Sequence, residues 1–476
     1  MTDNHMFKIS VLVGIWSATA CDKATEQDAA DNLPLARLLD NGQLESRQVH
    51  TRFFTPPPRQ EAIAQVTDLV RKGDLRHAIG LAEMETTPRA VWFASGSPDD
   101  VEAAVRKTMS EAKHEHRVPI LVAYNLPFRD CAQYSAGGAT DSAAYQAWID
   151  GFAAGIGSDS ADVMLEPDGL GLIPYNATLD GTSEWCKPTL SDGQGNTLPA
   201  PGADPETRYA QLNYAVTSIK NRAPHARTYL DGTHSAWLSA GEAAYRLVKA
   251  GIGQARGFFL NVSNFQPTPQ LVEYGTWVSK CIYYANNAAE GGWRLGHYDY
   301  CASQYYPASA SDYSTWSLTD QWYTDNVDGA ANPPSGPDVL AHFIVDTGRN
   351  GKGPLSASAY AVSPYNQPQS VITSLGQGNW CNPPGAGLGL RPTASTGAPL
   401  VDAYLWVKAP GESDGTCDSA GGARAWDFSL YNPWAVPVDQ QDQFDPLWGM
   451  VDPPSGAWFA AQAIDLVDHA DPPVSW

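Results

Sequence analysis

The sequence predicts an α/β fold built on a mainly parallel sheet, and three observations carry that prediction. Seven short, nearly all-apolar runs punctuate the chain, as strands buried on both faces do. Segments of helical periodicity lie between them. Glycine (42) and proline (36) together make up about a sixth of the 476 residues, so the connections are long and numerous.

In chain order the runs are AVWFA (90–94), ILVAY (120–124), VMLE (163–166), TYLD (228–231), FFLNV (258–262), HFIVD (342–346) and AYLWV (403–407). The spacing predicts a helix over 98–114, where Ser97 is a cap and Val101, Val105 and Met109 share one face. Similar patterns occupy 142–156, 204–222 and 239–250. Strand–helix alternation favours parallel pairing. Seven or eight such units can close into a barrel, whose functional residues gather where the strands end. No internal repeat or Ser/Thr/Pro-rich linker divides the chain. Residues 1–50 read as a signal-like leader followed by a loose polar segment, and 51–476 as one domain.

Composition narrows the partners. Lys and Arg total 30 against 52 Asp and Glu, a net charge of −22. Such a polyanion repels nucleic acid and anionic membrane. No apolar run is long enough for a transmembrane segment. Near the N-terminus, Phe7-Lys8, an apolar run over 9–16 and Ser17-Ala18-Thr19-Ala20-Cys21 read as a short signal peptide, or as a lipoprotein-type signal with a lipid anchor at Cys21. Without Cys21, six cysteines remain and none forms a C-x-x-C pair. Three disulfides in an oxidising compartment, hence a secreted protein, fit that count, while their pairing stays open. Sixteen tryptophans exceed the usual needs of a core and suggest a surface that stacks flat sugar faces.

Polar residues follow every run: Trp92; Tyr124 and Asp130; Asp168; Asp231 with His234; Asn261 with Asn264; Asp346 with Arg349; then Lys408, Glu412 and Asp414. Strand ends meet solvent, so polarity there is ordinary, but the excess of aspartate is not. Gly411-Glu412-Ser413-Asp414-Gly415 matches the G-x-S-x-G elbow of serine hydrolases, with His469 as the only later histidine. Too few residues follow for the rest of that fold, and no oxyanion motif is present. No H-E-x-x-H, P-loop or dinucleotide fingerprint occurs, and the histidines are scattered, so neither a metal nor another cofactor is expected. Two segments suit acid–base work better: YNLPFRDC ending at Cys131, and LEPDGL around Asp168. Carboxylates close together at a barrel mouth shift apart in pKa, so that one stays protonated and can serve as a general acid for glycosidic cleavage. The competing reading is that each Asp caps a helix or pairs with an arginine such as Arg129.

These segments resemble glycoside hydrolase family 6, the cellulases. The likeness runs from about residue 51 to 468 and includes AVWF at Trp92, YNLPFRDC, LEPDGL, YLDGTHSAW (229–237), LNVSNF (260–265), DTGRNG (346–351), WCNPPGAGLGLRP from Trp380 and LWVKAPGESDGTC from Leu405. The resemblance implies a distorted seven-stranded parallel β/α barrel, TIM-like, with long loops over a cleft. It implies Asp168 as the general acid, Asp130 as the carboxylate that raises the acid's pKa and supports the transition state, and Tyr124 beneath the distorted sugar. Asp414 becomes a candidate base. Trp92, Trp237 and Trp380 become stacking residues, and Asp231, His234, Asn264, Lys408 and Glu412 substrate-binding ones. The family disulfides map to Cys131–Cys186 and Cys381–Cys417, leaving Cys281–Cys301 as an extra bridge.

The implied reaction is inverting hydrolysis of β-1,4-glucosidic bonds in cellulose and related β-glucans, with the carboxylates about 6.5–9.5 Å apart. Proton removal has two routes, directly to Asp414 or through a water chain near Asp130. One departure bears on the second: where the family often has a water-holding serine, this chain has Ala136, with Ser135 beside it. The short loop after Asp130 favours an endo-acting enzyme. The long segments 178–207 and 418–456 keep the alternative of a cellobiohydrolase, which releases cellobiose from chain ends. A non-catalytic polysaccharide-binding protein is the third reading. The expected partners are β-1,4-glucan chains, bound by a monomer.

Overall fold

The computed structural model describes residues 53–336, 338–419 and 423–474. The expected leader, with its signal-like run and Cys21, lies outside the described residues. Helices α1 (Gln60–Arg71) and α2 (Leu75–Glu85) come first. Then β1 (Val91–Phe93), α3 (Pro98–His114), β2 (Ile120–Ala123), α4 (Ser142–Ile156) and β3 (Asp162–Leu165) alternate as expected. A small exposed hairpin, β4 (Thr189–Ser191) and β5 (Thr197–Pro199), interrupts the pattern. It resumes with α5 (Pro205–Arg222), β6 (Arg227–Asp231), α6 (Ala240–Lys249), β7 (Gly257–Leu260) and α7 (Thr268–Asn286). The chain closes with α8 (Ser317–Tyr323), β8 (His342–Asp346), α9 (Gln369–Gln377), β9 (Val401–Leu405) and α10 (Ala460–Asp468).

Capping explains why α3 begins where it does. Ser97 Oγ accepts from the Asp100 amide at 3.2 Å and Asp100 Oδ2 accepts from the Ser97 amide at 3.0 Å, with Pro98 in the first turn. Asp141, Asp204 and Ser239 cap α4, α5 and α6, each side chain accepting from one amide of the first turn.

The seven long-range strands form one sheet in the order β1-β2-β3-β6-β7-β8-β9, every neighbour parallel. Their side chains alternate. Ile120, Val122, Met164, Tyr229, Phe259, Ile344, Ala403 and Leu405 join one core inside the curled sheet. Leu121, Ala123, Val163, Leu165, Leu230, Phe258, Leu260, Phe343 and Val345 join the larger core beneath the helices. Burial on both faces is why these strands read as unbroken apolar runs. β1 and β9 do not pair as strands. The seam is spanned by the Ala90 amide, which donates to Trp406 O at 2.9 Å, and by Trp92 Nε1, which donates to Val407 O at 2.8 Å. The expected distorted seven-stranded barrel is therefore present, open along one seam.

Two expectations are refined. Trp148, Trp277, Trp316 and Trp406 are buried, so the indole count reflects the core as well as a sugar-facing surface. The insertion at 418–456 is built in: buried Arg424 pairs with Asp445 at 3.1 Å and donates to Gly378 O at 2.9 Å, while Trp448 Nε1 donates to Asn382 O at 2.7 Å. All three bridges are present, Cys131–Cys186, Cys281–Cys301 and Cys381–Cys417. Cys131–Cys186 and Cys381–Cys417 are the two that the resemblance implies, and Cys281–Cys301 is the extra bridge.

Candidate active site

Strand parity points Tyr124, Asp231 and Asp346 inward at the carboxyl ends of β2, β6 and β8. Just beyond the strands the backbone turns sharply. Asp130 (φ 55°), Cys131 (46°), Glu166 (56°), Asp168 (61°), Thr233 (59°), Asn261 (72°) and Ser263 (59°) all adopt left-handed conformations. Each costs on the order of 1–3 kcal/mol, and such residues cluster where a side chain must be aimed rather than merely accommodated.

The turns surround a cleft of about 600 Å³. Of the residues singled out from sequence, Trp92, Tyr124, Asp130, Asp168, Trp237, Asn264, Trp380, Lys408, Glu412 and Asp414 line it. Asp231 and His234 are not among the residues that line it. Asp231 accepts from the amides of Thr233 at 2.8 Å and Leu170 at 3.3 Å, so it holds the turn that follows Asp168. His234 Nδ1 accepts from the Ala236 amide at 3.2 Å, and its ring packs on Trp237 with centroids 5.6 Å apart. Burial lowers its pKa to about 3, so it is neutral. A Cβ on Gly171 would come within 2.4 Å of the Trp237 ring, so only glycine lets that indole approach the turn so closely.

No described residue hydrogen-bonds the Asp168 carboxyl group. Burial holds its pKa well above the ordinary carboxylate range, and the charges of Asp231, Asp130 and Asp414 push it the same way, against Lys408. Burial also raises Asp130 to about 6, opposed by the Ser135 amide, which donates to Oδ2 at 2.7 Å, and by Arg129. Arg129 does not hydrogen-bond Asp130. Its guanidinium donates to Tyr124 O at 2.6 Å, Ala94 O at 2.9 Å and Ser135 O at 2.9 Å, and lies 4.5 Å over the Tyr124 ring. It ties the loop to the strand ends, and the reading of Asp130 as Arg129's partner lapses.

Asp414 has a different setting. Arg349 grips both of its oxygens, at 2.9 and 2.8 Å, and the Asn382 amide donates to Oδ2 at 3.0 Å. Lys408 Nζ donates to Ser413 O at 3.2 Å and sits 3.9 Å from Glu412, which Arg59 also holds at 2.7 Å. Asp346 accepts from the Lys408 amide at 2.8 Å and fastens the end of β9 to β8; burial raises its pKa to about 6. Ser413, the centre of the G-x-S-x-G match, is fully buried and donates to Pro453 O at 2.7 Å. His469 bonds its own helix at Asp465 O. The two make no nucleophile–base pair.

Sequence reasoning passed over four contributors. Glu166 accepts from the Asn125 amide at 2.9 Å and the Leu126 amide at 3.1 Å, and burial raises it to about 7. Its position as the last residue of VMLE was the available signal. Arg349 was marked at a strand end, but not as the partner of Asp414. Trp185 and Ser455 also line the cleft. Both lie far from any strand run, and only the fold brings them in. Ser135 Oγ and Ser455 Oγ are 2.7 Å apart, so the hydroxyl missing at Ala136 is present one residue earlier.

Cys417, Asp445 and Asp452 converge at ligand distance, but the cysteine is in a disulfide and Asp445 is held by Arg424, which suits no cation. Asn176 and Asn261, which fit the glycosylation pattern, are both buried. No helix among the described residues is long and apolar enough to cross a membrane.

The sequence model of glycosyl hydrolases family 6 matches residues 48–470. Endoglucanase 1 from Streptomyces sp. (strain KSM-9) is 30% identical over 353 residues, which cover 74% of this chain and 70% of that protein. A probable 1,4-beta-D-glucan cellobiohydrolase C from Aspergillus niger is 29% identical over 74% of this chain and 60% of its own length. Among solved structures, the endoglucanase Cel6 from Mycobacterium tuberculosis, bound to a thio-linked methyl cellobiosyl-cellobioside, superposes with a TM-score of 0.54 at 27% identity, covering 88% of this chain and 97% of that one.

Proposed function

The chain belongs to glycosyl hydrolases family 6, and on that premise we propose that it hydrolyses β-1,4-glucosidic bonds in cellulose and related β-glucans, within chains and with inversion. The observation that carries this reading is Asp168: a carboxyl group in the cleft, aimed by a left-handed backbone, unbonded by the described residues and kept protonated by its surroundings.

In this reading Asp168 gives its proton to the leaving oxygen. A water attacks the opposite face of the sugar, and Asp130, ionised above about pH 6, supports the positive charge that develops. The Tyr124 ring, fixed edge-on to Trp92 with centroids 5.3 Å apart, lies under the distorted sugar. Trp92, Trp237 and Trp380 stack sugar faces, and Asn264, Lys408 and Glu412 bind hydroxyls, with Asp231 and His234 supporting them. Asp414 already shares its oxygens with Arg349 and Asn382. Proton removal therefore runs more readily through a water held near Asp130 by the Ser135 hydroxyl than directly to Asp414. Three disulfides support function in an oxidising, extracellular setting.

The endoglucanase relative and the short loop after Asp130 support internal cutting. One observation favours the second reading, release of cellobiose from chain ends: the Ser135–Ser455 contact joins that loop to the end of the 418–456 insertion at the cleft. Following viscosity and new reducing ends together on soluble carboxymethylcellulose decides between them. A steep viscosity fall with few new ends is expected. Slow thinning with cellobiose as the main product overturns endo action.

A further inference from the structure

We propose that Trp185 is a sugar-stacking residue of the cleft, held in place by a fixed residue on either side of it. The inference rests on the β-glucanase reading above and adds a position that no sequence motif marks.

Trp185 lies on the excursion between β3 and α5. Its side chain is 57% exposed, and it lines the same cleft as Asp130 and Asp168. Trp92, Trp237 and Trp380, the other indoles there, are all partly buried. An indole this exposed leaves much apolar surface in water, and a flat ligand face can cover it.

Exposure alone would describe many surface residues, but the backbone here is clamped. The preceding residue, Glu184, forms an ion pair with Arg246. Arg246 is fully buried, also binds Glu242 at 2.6 Å, and donates to Leu170 O at 2.7 Å, inside the turn after Asp168. The following residue, Cys186, is buried and joined to Cys131, the neighbour of Asp130. The Glu184 amide donates to Asn176 O at 3.0 Å, and the Tyr175 amide to Cys186 O at 2.9 Å. Thus the salt bridge leads back to the Asp168 turn and the disulfide to the Asp130 turn. The backbone that carries the indole is fixed relative to both before any sugar arrives, so stacking has to order only the side chain's own two torsions.

Its ring N–H is also unengaged. Trp92 spends its N–H on Val407 O, whereas the Trp185 indole makes no hydrogen bond to a described residue and can donate to a sugar hydroxyl. In sheet order Trp185 hangs from the strand that carries Asp168, next to the strand that carries Trp237, and away from the β1–β9 seam that holds Trp92 and Lys408. It lies on an excursion outside the strand-end turns that carry Asp130 and Asp168, and we assign it to an outer part of the track, which a long chain fills and a short one need not.

The test measures affinity by calorimetry for cellotriose and cellohexaose in an Asp168→Asn background, with Trp185→Ala and Trp185→Phe added. Trp185→Ala should weaken cellohexaose about 3- to 10-fold, change cellotriose much less, and leave the melting temperature unchanged. Trp185→Phe should restore most of the loss. Unchanged cellohexaose affinity in Trp185→Ala overturns the assignment, as does an equal loss on both sugars with a lowered melting temperature. If the Asp168→Asn parent binds neither sugar and the unmodified enzyme cleaves no β-1,4-glucan, the β-glucanase reading fails and this inference with it. That outcome is distinct from a failure at Trp185 alone.

Discussion

Asp168 and Asp414 are both aspartates that line one cleft, yet their surroundings give them opposite characters. Asp168 is buried, has no hydrogen bond from the described residues and is crowded by Asp231, Asp130 and Asp414, so it keeps its proton. Asp414 is gripped at both oxygens by one arginine, Arg349. Asp168→Asn should therefore lower kcat about 10²- to 10⁴-fold while leaving oligosaccharide affinity intact, as steady-state kinetics and calorimetry will show; an equal loss in Glu412→Gln would shift the role of acid away from Asp168. The pH profile follows from the same groups. Activity should rise as Asp130 ionises near pH 6 and fall only when the pH exceeds the elevated pKa of Asp168. The identity of these residues was legible because each sits just past an apolar run. The role of Arg349 was not, since nothing in DTGRNG says that its guanidinium reaches Asp414, 65 residues later.

Among the elements, what was legible followed the strength of local signals. The four helices read from sequence, α3 to α6, all begin at a side-chain cap, Ser97, Asp141, Asp204 and Ser239. Of those unread, α2 is capped by Asp74, whereas α1, α7, α8, α9 and α10 have no side-chain cap hydrogen bond. The extra bridge, Cys281–Cys301, shows how an element far along the chain serves the cleft. It ties the end of α7 to a loop whose Gln304 donates to Ser235 O at 2.9 Å and Leu238 O at 2.8 Å, and whose Tyr305 hydroxyl donates to Trp237 O at 3.0 Å. Replacing both cysteines with alanine should cost about 2–4 kcal/mol of stability, measured by chemical denaturation, and weaken cellohexaose binding through Trp237. Full retention of both would mean that the loop docks without the bridge.

For the whole molecule, the buried carboxyl groups make a pH signature. Burial raises Asp130, Asp231 and Asp346 to about 6 and Glu166 to about 7. The folded chain thus holds protons that the unfolded chain releases near pH 4, so stability falls as pH rises from about 4 to 7. Asp402 acts with the opposite sign in a lower window: despite burial, bonds from Arg256 and Tyr229 pull it down to about 2, so its contribution is lost only as pH falls below about 4. The net charge of −22 adds repulsion of the same sign as the raised groups. The melting temperature should be higher at pH 5 than at pH 8. A higher value at pH 8 would mean that these carboxyl groups are not perturbed in this direction.

The sequence by itself determined the seven strands, their parallel class, the positions of the cleft aspartates and the four helices that begin at Ser97, Asp141, Asp204 and Ser239. Each of these depends on neighbours within a few residues: alternation buried on both faces, a cap, or a polar residue where a strand stops. Only the tertiary structure decided that the sheet stays open along a seam bridged at Ala90 and Trp406, that Arg349 grips Asp414, that Ser455 meets Ser135, and that Trp185 faces the cleft. Those contacts join residues brought together by the curl of the sheet, by disulfides and by an insertion anchored through Arg424, and no local pattern encodes which distant partner each one meets.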